Sequence, residues 1–69
     1  MIKKSVVIAG RHATSICLEK EFYDALQSIA DEQQISLNRL ITIIDSERTS
    51  SNLCSALRLY VLKYYQQKS

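Results

Sequence analysis

Gly10-Arg11-His12-Ala13-Thr14-Ser15-Ile16-Cys17-Leu18-Glu19 runs straight into Lys20-Glu21-Phe22-Tyr23-Asp24-Ala25-Leu26, and this stretch decides the fold. From Ala13 to Leu18 small or polar side chains alternate with larger apolar ones, and Ile16 and Leu18 stand two apart. That is the two-residue period of a half-buried strand. Parity turns Ile16 and Leu18, with Thr14 and His12, toward a core, and Arg11, Ala13, Ser15 and Cys17 the other way. From Phe22 the spacing becomes Phe22, Ala25, Leu26, Ile29, Ala30, the stripe of an amphipathic helix. A lone strand feeding a helix, with no second strand after it, has no partner in its own chain. The simplest partner is a second copy of the same strand.

Working outward, the first helix is predicted over 20–33, burying Phe22, Leu26 and Ile29. Glu19 closes the strand, where a carboxylate suits the positive end of the helix that follows. Ile35-Ser36 is a short connection, with Ser36 as N-cap of a second helix. Leu37, Leu40, Ile41 and Ile44 form the buried face of that helix, which ends near Glu47 or Arg48. Thr49-Ser50-Ser51-Asn52 is a polar hinge of capping residues. A third helix follows, with Leu53, Ala56, Leu57, Tyr60, Val61, Tyr64 and Tyr65 on one broad face, and Leu59 and Leu62 off it. Upstream, Ser5 to Ala9 is a continuous apolar run that should be extended. Gly10 is either a bulge that lets this run continue into the main strand or a bend that sends it elsewhere.

Sixty-nine residues bury a marginal core alone and usually need a staple: disulfides, a metal or a partner subunit. Two cysteines and one histidine make neither a disulfide framework nor a familiar zinc pattern, and no cofactor is expected. Oligomerisation is the staple left. Proline is absent and glycine occurs once, while 46% of residues are hydrophobic, so the chain reads as ordered. The apolar run before Gly10-Arg11 is too short for a signal peptide, and no stretch reaches the roughly 20 apolar residues of a membrane span. A cytoplasmic location with reduced thiols is expected.

The net charge is +2, unevenly spread. Lys3, Lys4 and Arg11 precede any acid; Glu19, Glu21, Asp24, Asp31 and Glu32 face Lys20 alone; the last segment adds Arg58, Lys63 and Lys68. The pattern suits an anionic partner, and equally an ordinary mixed surface. Arg58 and Lys63 read as solvated. An enzyme is not expected: a single histidine and an exposed acidic helix face supply no nucleophile or acid–base pair.

The order strand, helix, short turn, helix resembles the ribbon-helix-helix DNA-binding proteins. The carriers are Thr14-Ser15-Ile16-Cys17-Leu18-Glu19, Phe22-Tyr23-Asp24-Ala25-Leu26, Ile35-Ser36-Leu37-Asn38-Arg39-Leu40-Ile41 and Ile43-Ile44-Asp45. With Ser5-Val6-Val7-Ile8-Ala9-Gly10 before and Asn52-Leu53-Cys54-Ser55-Ala56-Leu57-Arg58 after, the chain is similar to a small bacterial subfamily with a third helix. On this resemblance the chain is one mainly helical domain: an N-terminal extended arm over 1–10, the ribbon-helix-helix over 11–48 and an added helix over 49–69. The resemblance implies an intertwined homodimer whose two strands pair into an antiparallel ribbon over a shared helical core. It also implies docking of that ribbon in the major groove of double-stranded DNA, as in the Arc and MetJ repressors. A regulator of transcription is the implied role.

Carried over by position, the outward ribbon residues are Ala13, Ser15 and Cys17, and a phosphate site falls on Ser36, Leu37 and Asn38 at the start of helix two. Arg11, Lys3 and Lys4 would supply further phosphate contacts. Such ribbons usually offer Arg, Lys, Gln or Asn to base edges, which Ala13 and Cys17 cannot replace and Ser15 replaces only with a short hydroxyl. Each has a plainer reading: Ser15 as a solvent-facing strand residue, Cys17 as a thiol packed beside the N-terminal segment, Ser36 as a helix cap, His12 as a strand-end residue with a local hydrogen bond. The competing expectation is a dimeric interaction module, or an antitoxin-like protein, that holds a protein partner through Leu59 and Leu62 of helix three. Higher oligomers stay open.

Overall fold

Val6 and Ile8 stand two apart, as Ile16 and Leu18 do, and the computed structural model places the four on one face of a two-stranded sheet. The structure describes residues 1–8, 12–47 and 52–68, and of His12 only the backbone. β1 (Ile2–Ile8) pairs antiparallel with β2 (His12–Leu18), with Ile2 opposite Leu18, Ser5 opposite Ser15 and Ile8 opposite His12. Three helices follow: α1 (Lys20–Glu32), α2 (Leu37–Glu47) and α3 (Leu53–Lys68). The mainly helical architecture, with a two-stranded antiparallel ribbon and a C-terminal helix, is the expected one.

The source of the ribbon's second strand is not. By its pattern alone β2 lacks a partner in its own chain and calls for a second copy; the second strand is the chain's own β1. The apolar run before Gly10 does not continue into β2 but lies antiparallel beside it, and the strand is longer than the run, starting at Ile2. The segment foreseen as an arm is therefore half of the sheet. Ala9, Gly10 and Arg11 lie outside the described residues, as do 48–51, which hold most of the predicted hinge.

All three helices contribute to the face beneath the sheet. Val6, Ile8, Ile16 and Leu18 meet Leu26, Ile29 and Ala30 of α1, Leu40, Ile41 and Ile44 of α2, and Ala56, Leu57 and Val61 of α3 in one cluster. Phe22, Tyr60 and Tyr64 are half-buried at its margin. Each helix presents the face that its periodicity predicted, except that Tyr65, read onto the broad face of α3, is exposed at its flank. No charged or polar side chain is buried among the described residues, so the core costs no unpaired desolvation.

Helix ends are secured locally. Ser36 Oγ accepts from the Arg39 N–H at 3.0 Å and caps α2, as predicted; Asn52 Oδ1 accepts from the Ser55 N–H at 3.1 Å and caps α3. α1 ends in a Schellman turn: the Ile35 N–H reaches the Ala30 carbonyl and the Gln34 N–H the Asp31 carbonyl. This requires a left-handed residue at Gln34, whose φ is 59°. A side chain with a Cβ pays for that conformation and glycine does not. Gln34→Gly is expected to stabilise the fold by about 1 kcal/mol, read as a higher urea midpoint at unchanged slope.

Candidate nucleic-acid interface

Cross-strand partners in a sheet share a face. Lys3, Ser5 and Val7 therefore stand beside Cys17, Ser15 and Ala13 on the face away from the helices, and all six side chains are exposed. Among the described residues no element covers this face. Parity thus placed Ala13, Ser15 and Cys17 correctly. It missed Ser5 and Val7, because a strand not yet recognised has no parity to read.

Lys3 and Lys4, treated together in the sequence reading, separate. Lys3 lies on the bare face opposite Cys17, whereas Lys4 lies opposite Ile16 on the helix side and reaches solvent. An aliphatic stem along apolar surface with its ammonium in water is the usual solution for such a lysine. Arg11 lies outside the described residues; of the other candidates Lys3, Ala13, Ser15 and Cys17 lie on the bare face, Asn38 at the edge of β1, and Lys4 on the helix side.

Asn38, in the first turn of α2 after Ser36 and Leu37, comes to the outer edge of β1. Asn38 grips the strand with both ends of its amide: Oδ1 accepts from the Val7 N–H at 3.0 Å, and Nδ2 donates to the Val7 carbonyl at 2.6 Å. Leu37 is half-buried against the core. With Ser36 Oγ on the Arg39 N–H, both polar side chains of the expected phosphate site are occupied within the fold. What they leave for an anion is backbone N–H groups in the first turn of α2. Asn38→Ala would strip two partners from a strand edge and is expected to cost about 1–3 kcal/mol, measured by urea denaturation. Asn38→Asp should not restore it, since a carboxylate cannot donate to the Val7 carbonyl.

The grip also fixes which backbone groups β2 has to spare. Antiparallel partners alternate between bonded and non-bonded pairs. Since both Val7 groups turn outward to Asn38, Val7–Ala13 is a non-bonded pair, and so are Ser5–Ser15 and Lys3–Cys17. The N–H and C=O groups of Ala13, Ser15 and Cys17 therefore point away from β1. The Cys17 N–H meets Cys54 Sγ at 3.5 Å where α3 lies beside the strand. Among the described residues nothing occupies the edge groups of Ala13 and Ser15.

The basic last segment and the acidic first helix face each other rather than solvent alone. Arg58 Nε donates to Glu19 Oε1 at 3.0 Å and is half-buried, so Arg58 is not the solvated residue expected. Tyr64 Oη and Lys68 Nζ donate to the two carboxylate oxygens of Glu32 at 2.8 and 2.6 Å. The charge asymmetry is partly an internal clamp between α3 and the rest, and Lys3 and Lys4 of β1, Arg39 of α2 and Lys63 of α3 remain exposed.

Both carboxyls are held below the ordinary value of 4.5. For Glu19 the larger cause is its own backbone N–H and the second is Arg58; for Glu32 it is Lys68 and then Tyr64. A carboxyl lowered on folding contributes stability above its unfolded value and loses it as pH falls through the folded one. The thermal midpoint should therefore drop as pH falls below about 4.5. Glu32→Gln should show a shallower fall, measured by thermal melts from neutral to acid.

Tyr64 stacks at 6.4 Å on Tyr60 and meets Tyr65 edge-on at 5.4 Å. Tyr60 and Tyr64 thus line the core margin and contact one another. On the opposite side of α3, Leu59, Leu62 and Tyr65 are 49%, 53% and 43% exposed. No described helix is long and apolar enough to cross a membrane.

Against models of known families, residues 1–65 match one described as a ribbon-helix-helix domain, a span that takes in β1 and nearly all of α3. Comparisons with curated proteins and with solved structures find no match.

Proposed function

Because the chain belongs to the ribbon-helix-helix family, we propose that it is a dimeric DNA-binding regulator that reads the major groove with the bare face of its ribbon. One observation carries this: a two-stranded sheet with every helix on one side and six small, apolar or basic side chains on the other. The major groove, roughly 12 Å wide, admits a two-stranded ribbon. Members of the family typically bind DNA and dimerise, and here the edge of β2 at Ala13 and Ser15 is the natural meeting place for two copies. Four strands in the order β1-β2-β2-β1 would span about 14 Å, wider than the groove. The central β2 pair then enters, bringing Ala13, Ser15 and Cys17 to base edges, while the flanking β1 strands ride over the backbones.

In that arrangement Lys3 meets one phosphate, and the first turn of α2, beside Val7 at the other end of β1, meets another with the backbone N–H groups of Leu37 and Asn38, capped by Ser36. Arg11 adds to the phosphate contacts; Lys4, on the helix side, contributes only to the long-range field. The short side chains of Ala13, Ser15 and Cys17 favour close approach and thymine-methyl contact over bidentate hydrogen bonding. Shape and phosphate contacts therefore dominate affinity. The role is one of binding, not catalysis.

The test is binding to a duplex from the protein's own upstream region and to a scrambled duplex across a salt series, with sedimentation to give the assembly state. Log affinity should fall linearly with log salt, and Lys3→Ala should lower the slope by about 1.8 for two copies. Absence of binding at low salt, or a monomer at micromolar concentration that still binds, would defeat the reading as stated. A second reading rests on the exposed Leu59–Leu62–Tyr65 stripe: an antitoxin-like protein that holds a protein partner there. Leu59→Glu would then abolish partner binding and leave DNA binding intact.

A further inference from the structure

Met1, Cys17 and Cys54 carry every sulfur atom in the chain, and the fold gathers them from three elements to one place. Cys17 Sγ lies 3.4 Å from Met1 Sδ, and Cys54 Sγ lies 3.5 Å from the Cys17 backbone nitrogen. Both cysteines are free thiols; Cys17 and Met1 are exposed and Cys54 is half-buried. Nothing in the linear spacing announces the cluster, since 16 and 37 residues separate the members of each contact.

We propose that Cys17, Cys54 and Met1 form a binding site for a soft monovalent metal ion, Cu(I) in the first instance. The donor set decides the metal. Thiolate and thioether sulfurs select Cu(I), whereas structural zinc sites use four thiolate or imidazole ligands. Three sulfurs suit trigonal coordination. With metal–sulfur bonds of roughly 2.3 Å, the sulfurs of such a site lie about 4 Å apart, so the 3.4 Å between Cys17 Sγ and Met1 Sδ needs little adjustment. Cys54 Sγ already lies against the backbone of Cys17. Joining the same ion requires Cys54 Sγ to leave the Cys17 N–H and turn toward Cys17 Sγ.

Binding exchanges two thiol protons for one Cu⁺ and leaves a net charge of −1 on the ligand set. Lys3, the cross-strand neighbour of Cys17 on the same face, lies beside that charge. The ion would cross-link the start of β1, the end of β2 and the first turn of α3.

The experiment is titration of the reduced, anaerobic full chain with Cu(I) against a chromophoric Cu(I) chelator, with Ag(I) as the redox-inert check. One ion per chain is expected. Cys17→Ser and Cys54→Ser should each weaken binding at least about 100-fold. Met1→Leu, made by cleavage of an N-terminal fusion, should weaken it about tenfold. X-ray absorption should show three sulfur neighbours near 2.3 Å, and the metal should raise the thermal midpoint of the wild-type chain more than that of any of the three variants. Half an ion per chain, wild-type affinity in Cys54→Ser, or a two-sulfur shell would each overturn the site. Circular dichroism of the metal-free variants separates loss of ligand from loss of fold. The outcome is independent of whether the protein binds DNA.

Discussion

Leu57→Ala is expected to cost about 2–5 kcal/mol, a large part of the roughly 3–10 kcal/mol available to a chain of this length. Leu57 is fully buried in the one core cluster, to which both strands and all three helices contribute. Its loss opens a cavity where the helix meets the sheet, and well-packed surroundings close such a cavity only in part. The check is urea denaturation followed by circular dichroism, with Leu59→Ala as the exposed control, expected to change stability by less than about 0.5 kcal/mol. A cost below about 1 kcal/mol for Leu57→Ala would mean that α3 is an appendage to the core. The present packing makes it a wall of that core, tied down further by Arg58, Tyr64 and Lys68.

Ser15→Glu is expected to weaken DNA binding about 100-fold. A carboxylate about 8 Å from a phosphate, in an effective dielectric between that of water and that of a surface cleft, costs on the order of 1.4 kcal/mol per copy. Two copies double it. Ser15 is exposed and opposite Ser5 on the uncovered face, so the fold should tolerate the change, and an unaltered melting curve verifies that. Ser15→Ala serves as the neutral comparison, with a loss of a few-fold at most. Unchanged affinity in Ser15→Glu would remove the ribbon from the interface and turn attention to Leu59 and Leu62.

The helices were legible because each repeats its apolar positions for two or more turns, which fixes a face without knowledge of what it packs against. β2 was legible for the same reason with a period of two. β1 was not: its inward set is Ile2, Lys4, Val6 and Ile8, and Lys4 breaks the alternation just where a reader needs it. Val7 between Val6 and Ile8 then makes the remainder look like an unphased apolar run. With β1 unrecognised, β2 seemed to lack a partner, and half of the bare face went unseen. Long-range polar contacts left still less trace. Asn38 reads as part of a phosphate site at the start of helix two until the fold brings Val7, 31 positions away, into its reach. Arg58 looks solvated until Glu19, 39 positions away, comes beside it.

The grip of Asn38 on β1 bears on how many copies can join. A sheet with two open edges can recruit a neighbour on each side and grow without limit, the route to fibres. In this chain one edge is taken at Val7 by a side chain of its own second helix and carries a lysine further along, while the other is left open at Ala13 and Ser15. Two copies that join through the open edge use the same patch on both sides, an isologous contact that closes on itself. The outer edge of each β1 is then blocked at Val7, while its groups at Ser5 and Lys3 still face outward. One asparagine, by filling two hydrogen bonds, makes one of the two edges the poorer place for a further strand.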